Sequence, residues 1–129
     1  MSHVWPILHY DNPRHAVDFL AAAFGFLVTV EAADAEGDPI HVELRWPAGG
    51  TIVVGSTRHT GGVHEGLHGA ALYVVTDDVD GVHARAERHG AEIVNAPHRT
   101  RFGSGVEARA FTARDPEGTL WTFGTYGGA

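Results

Sequence analysis

The sequence predicts an α+β domain made of two tandem βαβββ modules, and three observations carry that reading. Two helical segments of equal length recur half a chain apart. Each follows a strand-like run and precedes three more. The turns between the runs fall at glycine, proline and aspartate clusters. The 129 residues suit one domain of ordinary size. The modules are therefore halves of one unit: residues 1–57, a linker at 58–68, and residues 69–129.

Each element follows from its residues. The first strand is residues 4–10. The first helix opens on Asn12 as N-cap with Pro13 behind it, and Gly25 supplies a left-handed stop. Ala16, Val17, Leu20 and Phe24 recur at helical spacing and form its apolar face. Strands are expected at 26–33, 39–46 and 51–56. The second module repeats the order, with a strand at 70–76 and a helix from Asp77 to Gly90 whose face carries Val79, Val82 and Ala86. Strands at 91–95, 106–113 and 119–126 complete it. Cap to stop spans 13 residues in both helices, and the second cap lies 65 residues after the first.

Composition excludes several functions. Hydrophobic residues make up 43% and the mean hydropathy is -0.10, as in soluble globular proteins. No apolar run reaches the roughly 18 residues of a membrane span, and residues 1–10 lack a secretory pattern, so a cytoplasmic protein is expected. Cysteine is absent, which removes disulfides and thiol nucleophiles; lysine is absent too, which removes a side-chain Schiff base. Serine stands only at positions 2, 56 and 104, never in a nucleophile elbow. Nine Arg against sixteen Asp and Glu give a net charge of -7. That charge disfavours nucleic acid and suits a cationic ligand.

The repeated unit resembles the vicinal oxygen chelate superfamily, which includes glyoxalase I, extradiol dioxygenases and bleomycin-resistance proteins. The matching stretches are 16–20 with Phe24-Gly25-Phe26, then His41-Val42-Glu43-Leu44, and in the second half 77–80, 89–93 and 114–126. The resemblance implies the glyoxalase/bleomycin-resistance fold: helices on the convex side of a cup-shaped mixed sheet, a small-molecule ligand in the cup, and a homodimer. It also implies four metal-ligand positions on the first and last strand of each module. Carried over, these are Trp5, Val53, Ala71 and Thr122, and none is a competent ligand. A slip of two residues gives His3, Gly55, Tyr73 and Gly124, which is no better.

Strand alternation then sorts the faces. Trp121 and Phe123 should meet the helix and leave Thr122 in the cup. Val42, Leu44 and Trp46 should pack and leave His41, Glu43 and Arg45 in the cup. Trp5, Ile7 and His9 should point inward. The expected ligand site is Trp5, His9, His41, Glu43, Arg45, Tyr73, Arg109 and Thr122, with no metal. The alternative is an enzyme using His41 and Glu43 as an acid–base pair, or a divalent metal displaced to His9, His41 and Glu43. His59, His64 and His68 read as a solvated loop, and so do His15, His83 and His89 as solvated helix positions. Residues 98–105 read as a surface loop or flap over the cup. Asp77, Asp78 and Asp80 read as helix caps.

Overall fold

A computed structural model of the chain describes residues 4–59, 64, 66–102 and 105–128. Among these residues, eight strands and two α-helices follow one another as β1 (Ile7–Tyr10), α1 (Pro13–Phe19), β2 (Leu27–Ala33), β3 (Pro39–Arg45), β4 (Thr51–Ser56), β5 (Ala71–Val75), α2 (Val79–Arg88), β6 (Glu92–Phe102), β7 (Val106–Arg114) and β8 (Leu120–Gly124). They form two four-stranded mixed sheets of identical order, β1-β4-β3-β2 and β5-β8-β7-β6. In each sheet the first strand of the module runs parallel to the last, with Ile7 opposite Val53 and Tyr73 opposite Thr122. The duplication expected from the sequence is therefore a duplication of topology.

Three of the boundaries that differ from expectation have a plain cause. β1 begins only at Ile7, because Pro6 has no N–H to donate and uses its carbonyl to accept from Val53 N at 2.9 Å. The first helix changes at Leu20 into a π-helical turn, Leu20–Phe24, before Gly25 ends it at a φ of 92°. That wider turn leaves Leu20, Ala23 and Phe24 all buried. β6 runs on to Phe102, well past the expected end at Asn95, because it keeps pairing with β7 as far as Val106. Residues 98–102 are thus one arm of a hairpin and not a loop. Gly103 and Ser104 of the expected flap lie outside the described residues, as does His3.

The helix-bearing faces of the two sheets share one core. Leu8, Val42, Leu44 and Val54 of the first sheet and Phe111, Ala113, Trp121 and Phe123 of the second belong to a single buried cluster. Phe24 joins them: its ring lies 5.6 Å from that of Trp121 and 4.8 Å from that of Phe123. Arg85 of α2 adds a polar tie, donating from Nε to Ala22 O at 2.7 Å and so satisfying a carbonyl at the end of the first helix. With both inner faces consumed by this core, no helix of the described residues packs on the other face of either sheet. Among the described residues no helix is long and apolar enough to cross a membrane.

Candidate functional site

Alternation along the strands places the expected site residues on these helix-free faces. On the first sheet, Val42 and Leu44 are fully buried, while His41 and Arg45 are exposed and Glu43 is half-buried. Nε2 of His41 stands 2.9 Å from Oε2 of Glu43, so these two do meet. Ile7 is 53% exposed and Trp5, ahead of β1, is 44% exposed. On the second sheet, Trp121 and Phe123 are buried against the core, and the Thr122 hydroxyl lies 2.8 Å from that of Thr112.

His9 points to the same side as Ile7 but is engaged elsewhere. Its Nε2 lies 3.1 Å from Nδ1 of His64, in the linker, and the two rings meet nearly edge to face. Its Nδ1 is buried with no hydrogen-bond partner. Burial, followed by the proximity of His64 and His68, lowers the His9 pKa below the usual histidine value. The unfolded chain therefore takes up a proton at this residue before the folded chain does. His9 contributes stability above the ordinary histidine pKa of about 6.5 and loses it as pH falls through its folded pKa. Urea titrations from pH 8 to 5 should show less acid destabilisation in His9→Gln than in the unsubstituted chain; equal slopes would remove His9 from that account.

Tyr73 lies across Gly124 and donates from its hydroxyl to Tyr126 O at 2.8 Å. A Cβ at Gly124 would stand 2.5 Å from that hydroxyl oxygen. Burial raises the Tyr73 pKa above its usual value, so the phenol stays neutral. The missing side chain at Gly124 thus makes room for the ring above it, whereas a Cβ at Gly55 would meet only ordinary contacts, Ile40 O at 3.6 Å and His9 Nδ1 at 3.7 Å. Gly124→Ala should cost about 1–2 kcal/mol by displacing Tyr73. Adding Tyr73→Ala should recover part of that cost, which a double-mutant cycle by urea unfolding checks.

Arg109 must be moved out of the expected site. It lies on the helix-bearing side of β7 and makes a two-pronged ion pair with Asp80 of α2, Nε to Oδ2 at 2.9 Å and one terminal nitrogen to Oδ1 at 2.7 Å. That pairing holds the Asp80 carboxyl below the ordinary carboxylate range. The reason is parity: Arg109 shares its face with Phe111 and Ala113, both buried in the core. The cap of α2 is Asp78, one residue after the expected Asp77, and it accepts from Gly81 N at 3.1 Å.

The linker histidines His59 and His68 are exposed as expected, but each linker histidine also has a partner. His59 reaches Asp34 at 3.3 Å, His64 reaches His9, and His68 reaches Glu117 at 3.1 Å. His83 is packed edge to face on Phe111 at 5.3 Å. Sequence spacing could not reveal these partners, because they lie up to 55 residues away.

The displaced metal set is not brought together. Among the described residues, His9, His41 and Glu43 do not gather their ligand atoms within 4.8 Å; the set that does is Asp11, His68 and Glu117. At the four positions inherited from the resemblance, Val53 and Ala71 offer only carbon, Trp5 offers an indole that donates, and the Thr122 hydroxyl is already paired. The residues present do not fit a divalent metal there. An apolar cleft of about 350 Å³ opens between the modules, lined by Pro6, Phe26, Trp46, Tyr73, Val75 and Trp121 among others. The Trp46 indole crosses to Val75 O at 3.1 Å. The cleft draws on both sides: Thr51, Tyr73 and Val75 belong to the helix-free faces, and Phe26, Ile52, Leu72, Val74 and Trp121 to the core side.

Comparison with known proteins places this arrangement. TioX from Micromonospora sp. ML1 shares 32% identity over 96% of this chain and 98% of its own, with a TM-score of 0.80. An integron cassette protein from the mobile metagenome of V. Cholerae has 20% identity over 98% of this chain and 97% of its own, with a TM-score of 0.73. TnmS3 of Streptomyces sp. CB03234, an antibiotic binding protein, has 22% identity over 95% of this chain and 94% of its own, with a TM-score of 0.69. The latter two show the shared fold. No curated protein matches the chain. The Glyoxalase/Bleomycin resistance protein/Dioxygenase superfamily model matches residues 3–123, and the chain belongs to that superfamily.

Proposed function

We propose that the chain is a small-molecule-binding protein that holds its ligand on the helix-free faces of its sheets and needs no metal to do so. One observation carries this reading: the strand positions where the family's enzymes hold a metal lack a donor set, while the faces around them keep exposed binding side chains. The first sheet offers Trp5 and Ile7 beside His41, Glu43 and Arg45. The second offers Tyr73 and Val75 above a floor of small residues, Ala108, Ala110, Thr112 and Gly124. Aromatic walls with a few polar anchors suit a ligand with a flat apolar body and a hydrogen-bonding, preferably cationic, group. That an antibiotic binding protein, TnmS3, uses the same fold supports this class of ligand.

Each sheet alone forms only half of an enclosure, and both faces leave apolar side chains such as Ile7 and Val75 about half exposed. A homodimer, in which a second copy covers these faces, removes that exposure. Light scattering should then return twice the chain mass of 13.8 kDa; a monomer across the micromolar range would refute the assembly.

The test of binding is tryptophan fluorescence of tag-free protein titrated with bleomycin and with flat polycyclic cationic antibiotics. Saturable quenching, lost in Trp5→Leu and unchanged by a chelator, is expected for at least one of them. Binding that disappears with the chelator would overturn the metal-free reading. The His41–Glu43 contact supports a second reading, a general base on the first sheet. Under it, His41→Ala abolishes turnover of a bound compound; under the first reading no compound is turned over.

A further inference from the structure

We propose that Asp11, His68 and Glu117 form a site for one divalent first-row transition-metal ion, outside the positions where the family's enzymes hold theirs. The three residues lie far apart in the chain, yet one donor atom of each lies within 4.8 Å of the other two. Nε2 of His68 stands 3.1 Å from Oε1 of Glu117. Donors about 2.1 Å from a shared ion stand at most about 4.2 Å apart, so small side-chain rotations close the set.

The two carboxylates are already held in place. Glu117 accepts from Asp11 N at 2.7 Å and from Asn12 N at 2.8 Å, and Asp11 Oδ1 accepts from the Thr57 hydroxyl at 2.7 Å. Such partners orient ligands from outside a metal's coordination shell; Oε2 of Glu117 keeps a lone pair, and Oε1 is freed for an ion when His68 turns its Nε2 to the metal instead. Charge favours a cation as well. The chain contains no lysine, and among the described residues no Arg forms an ion pair with Asp11 or Glu117. The Glu117 side chain has His68 as its ion-pair partner.

Two oxygen donors and one imidazole suit Zn²⁺, Co²⁺ or Mn²⁺, whereas Ca²⁺ and Mg²⁺ favour oxygen throughout. Asp11 and His68 are exposed, leaving room for water at the remaining positions. An ion here would tie the end of β1, the linker and the β7–β8 turn together, so it would join the two modules as well as bind.

Chelator-treated, tag-free full chain titrated with Zn²⁺ alone tests this, by calorimetry and by thermal unfolding. One equivalent should bind, and Tm should rise by about 5–10 °C at a hundredfold excess over Kd. His68→Ala should lose both effects. Asp11→Asn, whose amide oxygen still accepts from Thr57 and so protects the fold, should bind at least about tenfold more weakly. His41→Ala should keep both effects. The proposal falls if the unsubstituted chain shows no saturable equivalent, if His68→Ala and Asp11→Asn bind like it, or if His41→Ala abolishes the binding.

Discussion

Asp115→Ala should destabilise the chain by about 3–5 kcal/mol, read as a lower urea midpoint at unchanged slope. Asp115 is 5% exposed and, among the described residues, forms no ion pair. Its side-chain oxygens accept from four donors: Tyr10 Oη at 2.5 Å, Trp121 Nε1 at 3.1 Å, Glu117 N at 3.0 Å and Thr119 N at 3.1 Å. Removing the carboxylate strands two buried side-chain donors and loosens the turn before β8. Burial, and then the Asp115 carboxylate, push the Tyr10 pKa far above its usual value, so this phenol stays a donor at any ordinary pH. Tyr10→Phe removes one donor from four and should cost only about 1–2 kcal/mol. If Asp115→Ala cost no more than Tyr10→Phe, the carboxylate would not be the organising group.

Phe24→Ala should cost about 3–5 kcal/mol, as large-to-small changes in a close-packed core do. Its ring is 1% exposed and touches Phe19 of its own module and both Trp121 and Phe123 of the other. Because the cavity would open between the modules, both should unfold together in one transition. Far-ultraviolet circular dichroism and tryptophan fluorescence should then report the same midpoint. Two separated transitions would show that the modules are independent units that merely touch.

The sequence was informative wherever local chemistry decides structure. Asn12 does cap α1, accepting from His15 N at 3.2 Å, and Gly25 and Gly90 stop the helices at positive φ. Alternation in 42–46 and 121–123 sorted core from outer face correctly, because a strand's side chains must alternate whatever packs against them. It was less informative at β6. There, the residues after Asn95 are polar and basic and read as a loop, but β7 supplies their backbone partners.

The candidate site divides along the same line. His41 and Glu43, two apart on one strand, had their side fixed by alternation, but the structure decided that they pair with each other at 2.9 Å. Arg109 did not have even its side fixed: which face of β7 it occupies depends on strand phase, and its partner Asp80 sits 29 residues away on α2. The linker histidines were opaque for the same reason. Nothing in a glycine-rich segment states which distant carboxylate or imidazole each will reach.

By itself, then, the sequence determined the duplicated order of elements, the first helix's cap and both stops, the inward and outward phase of β3 and β8, and the lack of metal donors at the inherited positions. Only the tertiary structure decided that Arg109 serves α2, that Tyr73 covers Gly124, that Asp115 holds Tyr10, and that Asp11, His68 and Glu117 converge. The first group follows from interactions within a few residues, set by backbone geometry. The second arises when the two sheets close over one core and bring together side chains up to 106 residues apart.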